Sequence, residues 1–465
     1  MGTHGGARLV VESGRSAGMK LLIQNGRVVD PAQKLDATLD ILIEDGKIKA
    51  IDKPGAFAAL KFDTTAGDKI FDAKDCIVAP GFIDVHVHLR EPGLEYKETI
   101  ASGTLAALHG GFTSVSAMAN TKPVNDNAMV TKYILEKARE ANHARVFPIG
   151  AVTKGMKGEE LAEIGMMVEA GARAISDDGL PVMNSYLMRK AMEYARTFDV
   201  PIISHAEDLN LSQGGQSAGA PMNEGAVSAL LGYRGNPNAS EEIMVAREIA
   251  LARLTGAKVH IAHLSTKEAI AQVKHAKEAG LAVTAEVTPH HLMLNDQFIL
   301  SGKHTCVHHQ SRTDYKMAPP LRSEADQAAL LDALKSGVID MIGSDHAPHG
   351  CVDKEMEFEL AANGILGLQT TVPLLLDLVH ANQLSLQRMI ESLTSAPAKL
   401  LQLHGLGSLK VGFLADLTIL NLKKEWTLTP ELVASKSKNS PFLGRKFKGS
   451  VRATIVEGKV KYESE

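Results

Sequence analysis

Eight times between residues 81 and 344 the sequence alternates a short β-branched or apolar run with a longer stretch whose apolar residues recur at helical spacing. The runs begin at Gly81 (GFIDVHVH), Phe112 (FTSVSAMA), Ala144 (ARVFPIGAV), Ala172 (ARAIS), Pro201 (PIISH), Lys258 (KVHIAH), Ala282 (AVTAEV) and Asp340 (DMIGS). Residues 96–108, 241–254 and 267–279 are helix-like stretches between them. Strands joined through helices cross over right-handedly into a parallel sheet, and eight units is the number that closes a (β/α)8 barrel. A doubly wound open sheet alternates in the same way; the count favours closure, so the expected fold class is α/β with a TIM-like barrel.

The flanks carry a different period. Residues 19–53 alternate apolar and polar side chains around Asn25-Gly26 and Asp45-Gly46, dipeptides that favour hairpins. ADLTILNL from Ala415 and VRATIVEGKVKY from Val451 repeat that pattern. The reading is a small β-sandwich domain built from both chain ends, residues 19–76 plus 405–465, with the barrel (77–404) inserted between them. Residues 1–18 have no continuous apolar stretch of the kind a signal peptide needs, and read as a disordered extension or tag.

In a barrel the C-terminal ends of the strands converge on one face, where this fold places its chemistry. His86 and His88 end the first run, Asn120 follows the second, and Asp177 and Asp178 end the fourth. His205 ends the fifth, His263 the sixth and Asp345 the eighth. Residues two apart in a strand project to the same side, so His86 and His88 can grip one ion together. Histidine and carboxylate suit a borderline cation such as Zn2+, and the remaining histidines with a bridging acid can hold a second. Two-metal hydrolytic sites are built this way.

Taken singly, each of these residues has a blander reading. A lone His205 or His263 is more often a satisfied core histidine, and alternation produces HxH by accident. The ordered conjunction on strands one, four, five, six and eight is what carries weight. His290 and His291, after Pro289, read equally as mouth or packing residues. His304, His308 and His309 read as solvated loop, and the run from Lys423 to Glu425 as solvated surface.

Composition narrows the partners. Of the 465 residues, 45% are hydrophobic and 22% charged, with a net charge of −4, so no overall positive field points to nucleic acid or an anionic membrane. No apolar run is long enough to span a bilayer. Cys76, Cys306 and Cys351 are scattered and form no disulfide framework, which favours a reducing, cytoplasmic setting.

At the level of motifs the sequence resembles the amidohydrolase superfamily and, more narrowly, the class I dihydroorotases. The matching segments are APGFIDVHVHLREPG from Ala79, AMANTKP from Ala117, SDDG from Ser176, SHAED from Ser204, HIAHLSTKEA from His260, EVTPHHL from Glu286 and SDHAPH from Ser344. The resemblance implies two zinc ions, one held by His86, His88 and Asp345, the other by His205 and His263, with Asp178 as the bridge. It also implies Asp345 as the catalytic proton carrier. His88 would also touch the substrate; Arg90, Asn120 and His349 would bind the substrate carboxylate, and Asn363 and Gly364 would contact the ring.

The implied reaction is reversible cyclisation of N-carbamoyl-L-aspartate to L-dihydroorotate in pyrimidine synthesis. The implied setting is a cytoplasmic homodimer, with association with aspartate transcarbamoylase a further expectation. Allantoinases and hydantoinases share the metal logic, but many of them bridge their ions with a carboxylated lysine, and GARAISDDG offers aspartate instead. Arg90, a fork suited to a carboxylate, would be left unpaired by a hydantoin. A non-catalytic scaffold related to this family would be expected to lose ligands, and none is missing. Two features depart from the family: Ala318 stands where asparagine is usual, and the segment 300–315 is longer.

Overall fold

The computed structural model describes residues 19–213, 219–301 and 312–464. The expected N-terminal extension and His304, Cys306, His308 and His309 lie outside the described residues.

All eight runs form strands: β1 (Phe82–Val87), β2 (Phe112–Ala117), β3 (Arg145–Gly150), β4 (Ala174–Ile175), β5 (Ile202–Ser204), β6 (Val259–Ile261), β7 (Val283–Val287) and β8 (Met341–Ile342). Each pairs in parallel with the next. The ring closes just beyond β8, where Val87 and His346 form a parallel bridge and the His88 N–H donates to the His346 carbonyl at 2.9 Å. The result is a nearly closed eight-stranded parallel barrel.

A helix follows each strand: α1 (Ile100–His109), α2 (Ala128–Ala141), α3 (Ile164–Ala170), α4 (Ser185–Thr197), α5 (Asn238–Thr255), α6 (Lys267–Glu278), α7 (Glu324–Ser336) and α8 (Leu368–His380). Where the sequence reading starts α1 at residue 96, the helix begins at Ile100, because Thr99 and Ser102 form a capping box there. Thr266 and Ser323 cap α6 and α7 through the side chain alone, each accepting a backbone N–H three residues on. The helices and the outer faces of the strands share the largest apolar cluster. Inside the barrel Val85, Met118, Ile149, Ile203 and Met341 pack with Leu400, Leu401 and Leu403. The barrel is thus a filled core whose polar residues are left to one end.

The chain ends meet in the expected way. Lys20–Asp30, Leu35–Glu44, Lys47–Asp52, Lys69–Asp72 and Ile77–Pro80 from one end join Leu417–Thr427, Lys446–Val456 and Lys459–Glu463 from the other. The expected sandwich is realised as one continuous hydrogen-bonded mixed sheet around its own apolar cluster, which includes Ile23, Ile41, Leu417 and Ile455. Asp45-Gly46 makes the predicted tight turn. Asn25-Gly26 does not: it is a bulge inside Lys20–Asp30, where the register shifts between Ile23 and Gly26. The left-handed Asn25 is held there by the Asp40 and Asp72 carboxylates instead of reversing the chain. Among the described residues no helix is long and apolar enough to cross a membrane.

Candidate metal centre and carboxylate pocket

The six predicted ligands come together at the strand ends, all buried. Alternation explains Asp178: Ala174 faces the barrel interior and Ile175 the helices, so two-residue steps carry the interior face on to Asp178. Asp177, on the other parity, turns away and accepts from the Val152 and Thr153 N–H groups at 2.7 and 3.2 Å and from the Thr153 hydroxyl. His263 breaks its parity, since Ile261 faces outward, and a φ of +31° goes with its turn into the site. Asp345 (φ +47°) and Arg90 (φ +64°) also sit in the left-handed region, which costs side-chain-bearing residues about 1–3 kcal/mol each and concentrates at functional sites.

Asp178 faces both halves of the cluster. One carboxylate oxygen lies 3.5 Å from both His86 Nε2 and His88 Nε2; the other lies 3.3 Å from His263 Nε2 and 3.7 Å from His205 Nδ1. Asp345 Oδ1 completes the first group at 3.6 Å from His86 Nε2 and 3.1 Å from His88 Nε2. A tetrahedral ion about 2.1 Å from each ligand needs donor atoms roughly 3.4 Å apart. The observed separations fit that edge length. Two atoms in the cluster, His86 Nε2 and Asp178 Oδ1, are buried without a hydrogen-bond partner, an arrangement a cation would satisfy. The residues therefore fit a metal centre, with His86, His88 and Asp345 as one group of donors and His86, Asp178 and His263 as another. His205 meets the second group through His263, Nδ1 to Nε2 at 2.9 Å.

An outer ring of partners orients these ligands. Glu286, at the end of β7, lies 2.5 Å from His86 Nδ1 and 3.3 Å from His260 Nε2, and accepts from the His263 N–H at 3.3 Å. Glu207 sits 3.0 Å from His205 Nε2, and Asn120 Oδ1 2.8 Å from His88 Nδ1. Such carboxylate–histidine pairs choose which ring nitrogen faces the ion. The sequence reading assigns no role to Glu286, Glu207 or His260; an acid in the buried run AVTAEV was the available signal. Gly343 makes room for Glu286, since a Cβ there would stand 2.5 Å from Glu286 Oε2.

Burial alone would raise both ligand carboxyls, yet the surrounding histidines hold Asp178 and Asp345 below the usual carboxylate range. Burial likewise opposes charge on His205, but Asp178 and Glu207 push it up to about 10. Of the two ambiguous histidines, His291 is tied to Thr288 Oγ1 and the Pro319 carbonyl. His290 keeps a buried, partnerless Nε2, and burial pushes it down to about 4.

The predicted substrate residues line up beside the cluster. Arg90 is buried at 8% exposure and donates from Nε to the Pro348 carbonyl, with Nη2 3.2 Å from His349 Nε2. It has no ion-pair partner among the described residues, and burial lowers its pKa to about 10. His349 Nε2 lies 2.8 Å from the Asn363 carbonyl. Gly364 approaches Ala347 so closely, at a φ of +111°, that a Cβ would stand 2.5 Å from the Ala347 Cβ. Ala318 is half-buried and brings no polar side chain to the pocket.

A barrel whose strand ends gather histidines and aspartates around a metal site defines a metal-dependent hydrolase class, and comparison with known proteins agrees. The amidohydrolase family matches residues 77–461. The chain is 49% identical to a dihydroorotase of Solibacter usitatus, over 96% of this chain and 98% of that protein. It is 47% identical to a dihydroorotase of Syntrophus aciditrophicus, over 96% of this chain and all of that protein. A solved L-hydantoinase (dihydropyrimidinase) from Arthrobacter aurescens shares the fold with a TM-score of 0.81 at 26% identity, covering 95% of each chain. The chain belongs to the dihydroorotases of the amidohydrolase family.

Proposed function

We propose that the chain is a dihydroorotase that opens and closes the ring of L-dihydroorotate, exchanging it with N-carbamoyl-L-aspartate. The observation that carries the substrate is Arg90: a buried guanidinium with no ion-pair partner among the described residues, beside the His/Asp cluster. A substrate carboxylate supplies the missing counter-charge, and a neutral hydantoin does not. The near-full-length likeness to dihydroorotases supports the same choice over the hydantoinases that share the fold.

His86, His88 and Asp345 would hold one Zn2+, His205 and His263 a second, with Asp178 bridging. When bound, such ions supply a Lewis acid for the ring carbonyl and lower the pKa of water. Asp345, buried and 3.1 Å from His88 Nε2, takes the proton of the attacking water and returns it to the departing ring nitrogen. In the closing direction it carries the proton the opposite way. Arg90, Asn120 and His349 fix the carboxylate, while Asn363 and Gly364 meet the ring. A cytoplasmic homodimer that associates with aspartate transcarbamoylase belongs to the same reading and rests on the family resemblance, while its division into units 19–76 plus 405–465 and 77–404 rests on the change of period at the flanks.

The test is metal analysis of the purified protein together with an absorbance assay of dihydroorotate ring opening. Two ions per chain and turnover lost in Arg90→Leu support the reading. Turnover of uncharged hydantoins that survives Arg90→Leu would reject it.

A further inference from the structure

Three basic side chains surround His349. Arg90 reaches it from the segment after β1, Lys97 from the segment leading into α1, and Lys354 from the short helix Cys351–Lys354. Among acids, Asp353 pairs with Lys97 Nζ at 3.1 Å, and Asp345, Asp178 and Asp353 act on Arg90. Two uncharged contacts complete the surroundings: the Asn363 carbonyl at Nε2, and Asn439 Oδ1, which accepts from the backbone N–H of His349 at 3.0 Å.

Lys97 Nζ lies 3.1 Å from His349 Nδ1. An ammonium only donates, so Nδ1 must accept and carry no proton. The ring proton then sits on Nε2, which points at the Asn363 carbonyl and lies 3.2 Å from Arg90 Nη2. A guanidinium also only donates. Two donors therefore converge on one point with no acceptor between them except a backbone carbonyl.

We propose that Lys97 is a positioning residue of the carboxylate pocket: by donating to Nδ1 it locks His349 as the neutral Nε2–H tautomer, so that this N–H and the Arg90 guanidinium converge on one substrate carboxylate. The proposal rests on the reading that this pocket receives a carboxylate. Burial, with Arg90 and the basic residues beside it, holds the His349 pKa well below its usual value, which keeps the ring neutral at and above neutral pH. Without Lys97 the ring samples both tautomers, and one of them turns a lone pair toward the carboxylate.

The experiment measures KM and kcat for dihydroorotate on metal-loaded wild type, Lys97→Met, Lys97→Arg and His349→Gln, from about pH 6 to about pH 9. Lys97→Met is expected to raise KM roughly tenfold across this range, because burial and Arg90 still keep the ring neutral, and to leave kcat within about twofold. Lys97→Arg retains a donor and keeps KM near wild type. An unchanged KM, a loss confined to kcat, or a KM in Lys97→Arg as high as in Lys97→Met overturns the assignment. An unchanged KM in His349→Gln would instead reject the carboxylate pocket itself. If Lys97→Met does not fold, nitrogen NMR of histidine-labelled wild type, assigned with His349→Gln, decides the matter: a protonated Nδ1 on His349 overturns the proposal.

Discussion

Asp345 and Glu286 both meet the histidine cluster, but at opposite ends of the imidazoles. Asp345 faces His88 Nε2 on the inner side, and Asp345→Asn is expected to lower turnover about a thousandfold with an unchanged circular dichroism spectrum. Glu286 holds His86 Nδ1 on the outer side, and Glu286→Gln is expected to weaken metal binding about ten- to a hundredfold, read by competition with a chelator. The ligand residue types and their order were legible because strand ends converge in a barrel. The choice of Asp178 over Asp177 follows from alternation once the strand is located. His263 was legible only as a residue type: its parity is wrong, and a left-handed backbone turns it in. Glu286 was missed because its partner His86 lies 200 residues away in the chain.

At the scale of elements, two buried lysines peg the loop that carries Asn363 and Gly364. Lys354 Nζ donates to the Ala362 and Gly364 carbonyls at 2.8 and 2.9 Å, and Lys316 Nζ to the Glu359 and Ala361 carbonyls at 2.8 and 2.7 Å. Burial lowers the Lys354 pKa from 10.5 to about 7. Between those values the unfolded chain binds more protons than the folded one, so stability rises with pH across that window and loses this contribution as pH falls toward 7. Lys354→Met is expected to flatten this rise and to lower stability by freeing two carbonyls, measured as urea midpoints near pH 7 and near pH 9. The existence of all eight strands was readable from periodicity, but their ends were less so. A capping box moved the start of α1, and side-chain carboxylates turned a hairpin dipeptide into a bulge.

At the scale of the whole molecule, the sheet of the chain ends is bonded to the barrel rather than tethered to it. Arg145 of β3 pairs with the buried Asp416 at 2.6 Å, while the Thr418 and Thr454 hydroxyls donate to the Gly111 and Leu108 carbonyls at 2.6 and 2.7 Å. Arg145→Ala leaves a buried carboxylate without its guanidinium and is expected to cost about 2–4 kcal/mol in denaturant titration. Through the segment before its last two strands the same terminal region reaches the catalytic face: Asn439 holds the His349 N–H and the Ala347 and Gly364 carbonyls. By itself the sequence determined the strand and helix count, the closure number and the residue types at the mouth, because two- and 3.6-residue periods are local properties of the chain. Only the tertiary structure decided which nitrogen of each histidine faces inward, that Asp178 offers one oxygen to each histidine pair, and that Lys97 meets His349. Those contacts join residues up to hundreds of positions apart, and no local period records them.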